Sequence, residues 1–253
     1  MQHPTWTDRP WIRLPLGGFD TETTGLDPTR ERIVTACVMV VDDSTVSVRT
    51  WLLNPGIEIP EEAARVHGIT TDRAAAEGMD YGQGLGEIRD ALNAAWREGR
   101  AMAAYNAAYD VTIISSELAR LGMEPLAGGL LVDPLVIDRA CDPDRVGRRR
   151  LTDAVRHYGL TMGTAHTADA DTLAAIRLAW VLGRKFPEVG RLNGATLGQM
   201  QIGWYRDQAE ALRQRFANLA ADKRRRAEQI LVSAAELESK AAGVKSAWPL
   251  QRA

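Results

Sequence analysis

Asp20 and Glu22 sit two residues apart at the end of an apolar stretch that runs into PheAspThrGluThrThrGly at 19–25. In an extended strand that spacing puts both side chains on one face. Adjacent carboxylates repel, and each raises the pKa of the other. A hard divalent cation removes that cost, and oxygen ligands at a strand end suit Mg²⁺ or Mn²⁺. Taken alone, the pair also reads as a solvated loop entry. Asp110 closes AsnAlaAlaTyrAsp at 106–110, where a helical pattern begins, and Asp is also a common helix N-cap. Asp171 falls in the first turns of a helix that opens at HisThrAlaAspAlaAsp, with Asp169 as a competing neighbour and His166 at its lip.

The elements that must position these groups follow from the hydrophobic pattern. Residues 1–14 read as a loose polar arm with two prolines and two tryptophans. Leu14–Asp20 is the first strand, the apolar run Arg32–Val41 a buried second, and Val46–Leu53 a third, so three short-linked strands form an antiparallel meander. Helices are expected over Pro60–His67, Asp72–Glu77, Leu85–Arg97, Val111–Leu121, Leu151–Tyr158 and Ala168–Leu182. Short strands at Ala101–Ala104 and Leu130–Asp133 are interleaved, the second followed by a helix after Pro134. A meander followed by alternating helix and strand argues for a mixed α/β sheet with helices on its faces.

Together the three acidic motifs, in this order and spacing, resemble the DEDD superfamily of 3′–5′ exonucleases in its His-containing branch. The resemblance covers about residues 15–186 and extends to HisGlyIle at 67–69 and LeuThrAspAlaValArgHisTyrGly at 151–159. It is similar in form to the proofreading subunit of bacterial replicative polymerases and its free-standing relatives. The resemblance implies a ribonuclease-H-like fold with a five-stranded sheet. It implies that Asp20, Glu22, Asp110 and Asp171 hold two divalent cations, Mg²⁺ or Mn²⁺, across the scissile phosphate. It implies His166 as the general base, for which an ordinary imidazole pKa near ~6.5 is suited. It also implies that Thr23, Leu26 and His67 border the terminal nucleotide, Leu26 as a wedge against a base, with Asn106 close by. The Tyr branch places its tyrosine four residues before the last acid; that position is Thr167 here. Two positions depart from the pattern: Tyr105 stands where His is common and Tyr109 where Phe is common. Asp133 reads as an N-cap ahead of Leu135. Arg148, Arg149 and Arg150 read either as a phosphate-binding run or as a solvated loop.

The activity so implied is hydrolysis of single-stranded 3′ ends, DNA favoured, releasing nucleoside 5′-monophosphates. The alternatives are an RNA-trimming enzyme of the oligoribonuclease or RNase T kind, and a catalytically silent adaptor binding nucleic acid or protein. Retention of all five residues speaks against the silent adaptor.

Composition bounds the rest. A chain of 253 residues with 45% hydrophobic and 25% charged residues is ordinary globular material. No apolar run reaches the ~20 residues of a bilayer helix. The start, MQHPTWTDRPWIRLP, lacks the uncharged apolar core of a secretory signal. Cys37 and Cys141 are too few for a disulfide framework, which fits the reducing cytoplasm. Residues 1–187 carry 20 Lys+Arg against 26 Asp+Glu, a net of −6; residues 188–253 carry 11 against 7, a net of +4. Beyond Pro187 strand signals stop. A helical extension is expected there, as a long helix, a hairpin or a coiled coil, with apolar positions at Leu212, Phe216 and Leu219, then Ala227, Ile230, Ala234, Leu237, Ala241 and Val244. Three roles fit it: a homodimer seam or protein-docking helix, a basic arm through Lys223–Arg226 that tracks nucleic acid, or helices folded back on the catalytic domain. GlnMetGlnIleGlyTrpTyr at 199–205 is a poor match to a sliding-clamp peptide.

Overall fold

The computed structural model describes residues 7–42, 45–163 and 167–244. By contacts it divides into two units, Met1–Trp204 and Tyr205–Ala253.

The first unit is built on a five-stranded sheet in the order β3-β2-β1-β4-β5. Strands β1 (Leu16–Thr23), β2 (Ile33–Val41) and β3 (Val46–Leu52) are the expected meander, antiparallel throughout. The short strands β4 (Ala101–Ala103) and β5 (Leu131–Val132) add in parallel on the other side of β1. Between β3 and β4 lie α1 (Glu61–His67), α2 (Thr71–Glu77) and α3 (Tyr81–Arg97). Helix α4 (Ala107–Arg120) connects β4 to β5, and α5 (Pro134–Cys141), α6 (Leu151–His157), α7 (Ala168–Lys185) and α8 (Pro187–Gly190) follow.

Alternation along β1 and β2 feeds two cores, one on each face of the sheet. Phe19, Ala36 and Val38 join Leu85, Ile88 and Leu92 of α3 and Ile113 of α4 on one face. Cys37 and Met39 join Ile176, Ala179 and Leu182 of α7 on the other. Helix α7 lies close against the sheet because the strand beneath it is small. A Cβ on Gly18 would stand 2.6 Å from Ile176 Cγ1 and 2.8 Å from the Ala103 carbonyl. Gly18 therefore fixes how near the helix carrying Asp171 comes to the strand carrying Asp20.

The N-terminal stretch departs from the expectation of a loose arm. Trp11–Arg13 forms a single 3-10 turn, and Trp11 is wholly buried. Its indole N–H donates to the Val189 carbonyl at 2.9 Å, and its ring fills the space over Gly183, where a Cβ would stand 2.6 Å from it. An aromatic ring of this size contributes a few kcal/mol when buried, on the order of 3, which is enough to tie a short segment down.

The compact unit also continues past Pro187. Helix α9 runs without a break over Gly194–Ala242, so the extension is one long helix and not a hairpin. Its first turns belong to the first unit, because Leu197 is fully buried and Gln201 bonds Leu131 of β5 and Asp133 just after it. Gln201 lies inside the clamp-like heptapeptide, and its burial gives that stretch a packing role. From Tyr205 onward the helix forms the second unit.

Candidate active site

Pairing of β1 with β4 stops at Gly18, so the edge of β1 beyond it is open. Asp110, in the first turn of α4, fills that gap. Its Oδ1 accepts the Thr21 backbone N–H at 3.0 Å and the Thr21 hydroxyl at 2.7 Å. Asp110 is thus not an N-cap; Asn106 holds that position. Asp20 and Glu22 lie on the opposite face of β1 from Thr21, and the register with β2 shifts just after Glu22. The strand extends to Thr23, so both acids stand inside regular structure and not in a loop.

One oxygen from each of Asp20, Glu22 and Asp171 lies within 4.8 Å of the other two. This resolves the choice between Asp169 and Asp171 in favour of the latter as a partner of the strand pair. Asp110 is not one of the three that meet at this distance, but its charge is felt there. Burial lifts the Asp20 carboxyl well above its ordinary range, and the charges of Asp110, Glu22 and Asp171 add to the effect. Glu22 is pushed up to about 7 by burial, then by Asp171 and Asp110. Asp110, only 4% exposed, is pushed up to about 7 by burial, against the opposing bonds from Thr21. Four acids whose charges are mutually disfavoured form a site that a divalent cation stabilises, so the residues present fit such an ion.

The helix that carries Asp110 is held at its start by Asp133. The Asp133 carboxylate accepts the backbone N–H groups of Asn106 (3.1 Å), Ala107 (2.9 Å) and Leu135 (2.9 Å). It caps α5 as expected, and it also clamps the turn into α4. That turn needs a clamp, because Asn106 has a φ of 65°, the sole positive φ at a non-glycine among the described residues. Gln201 accepts the Asp133 N–H at 2.7 Å and donates to the Leu131 carbonyl at 2.8 Å.

Beyond Glu22 the chain turns through a loop that presents Leu26 at 94% exposure. Thr24 and Arg32 bond across the base of the loop, and the Thr24 hydroxyl donates to Glu31. Thr23 and Tyr109 share a hydrogen bond of 2.7 Å, and both hydroxyls reach the Gly25 carbonyl. A phenylalanine at 109 has no such bond to offer, so the departure at this position acts on the loop. Leu26, Thr23, His67 and Glu22 line a cavity of about 450 Å³. His67 Nδ1 accepts the Ile69 N–H at 3.2 Å, which leaves the proton on Nε2. Among the described residues that Nε2 is buried with no hydrogen-bond partner. Burial lowers the His67 pKa, with the nearby Thr23 carbonyl opposing.

Several expected residues stand elsewhere or outside the description. His166 lies outside the described residues. Asn106 is exposed at the head of α4. Arg149 is not free for phosphate, because it donates to the Asp138 carboxylate at 2.8 Å and to the Asp138 carbonyl at 3.0 Å. Arg145 binds the same fully buried Asp138. The Tyr105 hydroxyl is committed to the Arg149 carbonyl at 2.8 Å. The roles of Thr21, Gln201 and the Tyr109 hydroxyl were not read from the sequence. The position of Thr21 between Asp20 and Glu22 was the available signal for the first.

The chain is 29% identical over 163 residues to the DNA polymerase III epsilon subunit of Treponema pallidum, covering 63% of this chain and 72% of that one. An epsilon-like protein of Rhodobacter capsulatus is 29% identical over 177 residues, 66% of this chain and 23% of its own length. Among solved structures, Escherichia coli exonuclease I in complex with a dT13 oligonucleotide superposes with a TM-score of 0.60 at 20% identity, over 70% of this chain. The chain spans 42% of that enzyme's length, and the likeness carries the ribonuclease-H-like fold. No described helix is long and apolar enough to cross a membrane. Residues 18–179 match the RNase T exonuclease family, and the chain belongs to it as a nuclease hydrolase.

Proposed function

We propose that the protein is a 3′–5′ exonuclease of the His-containing DEDD branch, acting on single-stranded ends with two divalent cations, Mg²⁺ or Mn²⁺. The convergence of Asp20, Glu22 and Asp171, with Asp110 beside them, carries this reading. When bound, such ions polarise the scissile phosphate and lower the pKa of the attacking water. The chain's own share is positional and electrostatic. The four carboxylates hold the ions and set the net charge of a pocket that must accept a polyanion. His166, five residues before Asp171 in the sequence, is the proposed general base that takes the proton from water.

The cavity bordered by Thr23, Leu26 and His67 is the proposed seat of the terminal nucleotide. The buried His67 Nε2–H, without a partner among the described residues, supports a hydrogen bond donated to that nucleotide, and the exposed Leu26 supports a wedge against its base. Thr23 acts through the loop it holds with Tyr109, and Asn106, exposed at the head of α4, is proposed to lie close to the site. Products are nucleoside 5′-monophosphates. DNA is the favoured polymer, supported by the epsilon-type relatives and by neighbours solved with DNA oligonucleotides. The reducing cytoplasm is the proposed compartment, supported by two free cysteines.

Single-stranded DNA and RNA, labelled at the 3′ or the 5′ end, would be incubated with Mg²⁺, Mn²⁺ or EDTA. Immediate loss of the 3′ label with a descending ladder from the 5′ label, absent in Asp20→Ala, is expected. Loss of the 5′ label first, or equal cleavage in EDTA, would overturn the reading.

A further inference from the structure

The second unit, from Tyr205, is a helix whose apolar side chains stand in solvent: Leu212 is 47% exposed, Phe216 61%, Leu219 47%, Ile230 69% and Leu237 63%. An isolated helix draws little stability from propensity alone, and most helices rely on burying an apolar face. These positions lie on one stripe. From Leu212 the seam steps by four, three, four and three through Phe216, Leu219, Lys223 and Arg226. From Ala227 it steps by three, four, three and four through Ile230, Ala234, Leu237 and Ala241. The second series is the mirror of the first about the 226–227 bond. A mirror-symmetric seam is what an antiparallel pair of identical helices requires, because each layer then brings a seam residue against a seam residue.

The layers are also complementary in size. Leu212 falls opposite Ala241, Phe216 opposite Leu237, and Leu219 opposite Ala234. At the centre Lys223 falls opposite Ile230 and Arg226 opposite Ala227, where long aliphatic stems lie along the seam and the charges reach water. Charge selects the same direction. Residues 205–226 hold seven Lys+Arg and three Asp+Glu, a net of +4, whereas 227–242 hold one Lys and three Glu, a net of −2. Parallel copies set the basic halves side by side; antiparallel copies set basic against acidic.

From the mirrored seam and the divided charge we infer that α9 pairs with α9 of a second copy in antiparallel orientation, centred between Arg226 and Ala227. The partner is this chain itself, and the pairing is independent of the nuclease chemistry.

Sedimentation equilibrium of the full chain tests it, with cysteine cross-linking to fix direction. In a Cys141→Ser background, Leu212→Cys and Ala241→Cys are made separately. A dimer is expected. Neither variant links to itself, because like positions stand roughly 43 Å apart along the axis. An equimolar mixture links under mild oxidation. Phe216→Glu with Leu237→Glu is expected to weaken dimerisation at least 100-fold while 3′-end hydrolysis on a short oligonucleotide is kept. A monomer throughout the micromolar range, self-linking of Leu212→Cys, or a dimer whose mixed pair fails to link would overturn the inference.

Discussion

Replacing Asp110 by asparagine removes a charge from the acidic cluster while keeping its shape. The amide oxygen still accepts the two bonds from Thr21. Burial pushes the Asp110 carboxyl from 3.8 up to about 7. A raised folded-state pKa means stability that is complete below pH 3.8 and is lost as pH rises through 7. At about 1.4 kcal/mol per pH unit the full loss is about 4 kcal/mol by pH 8. The neutral amide avoids that loss but leaves an NH₂ buried, at about 1–3 kcal/mol. In EDTA at pH 8 the charge term exceeds the amide term, and Asp110→Asn is more stable than wild type by about 1–3 kcal/mol. For a unit of this size that raises Tm by roughly 2–10 °C. At pH 5 the folded carboxyl is still protonated while the unfolded one is ionised, so the loss is only about 1.6 kcal/mol, no more than the amide cost, and the variant is about equal to or below wild type. Saturating Mg²⁺ or Mn²⁺ restores the order in favour of wild type, since each of two ions at 100 times its Kd adds about 2.7 kcal/mol to the form that binds it, and the two together exceed the variant's advantage. Urea denaturation at pH 5 and pH 8, with EDTA and with metal, measures all four values. A variant less stable than wild type at pH 8 in EDTA, or a difference independent of pH, would refute the electrostatic argument.

Asp133→Ala strips the acceptor from the Asn106, Ala107 and Leu135 N–H groups, so a loss of about 2–5 kcal/mol and a fall in kcat are expected, with Asp133→Asn restoring part of both. Tyr109→Phe leaves the Gly25 carbonyl with the Thr23 hydroxyl alone and loosens the loop bearing Leu26; a several-fold rise in KM with kcat within two-fold checks this in steady-state kinetics. Gly18→Ala places a methyl against Ile176 and the Ala103 carbonyl, and about 2–4 kcal/mol of destabilisation is expected by calorimetry.

What was legible in the sequence was local. The PheAspThrGlu run fixed two acids on one strand face by period two, and the structure has them there. The meander and the alternation of helix and strand after it were legible because each strand carries its own apolar pattern. Long-range polar contacts were not. Nothing near Gln201 indicates that its amide closes on β5, and nothing near Trp11 indicates a bond to Val189; both are settled by packing between segments far apart in the chain. The boundary was expected at Pro187, where strand signals end. Contacts continue to Trp204 because Leu197 and Gln201 face the core.

The proposed ion-binding catalytic centre is formed by Asp20, Glu22 and Asp171. The most direct measurement is Mn²⁺ binding by electron paramagnetic resonance, with oligonucleotide hydrolysis followed in the same samples, for wild type and Asp171→Asn. Wild type should bind Mn²⁺ with activity rising in step with occupancy, and the folded variant should lose binding and at least 100-fold in rate. Hydrolysis undiminished in Asp171→Asn, or persisting in wild type after Mn²⁺ has been stripped, would contradict it.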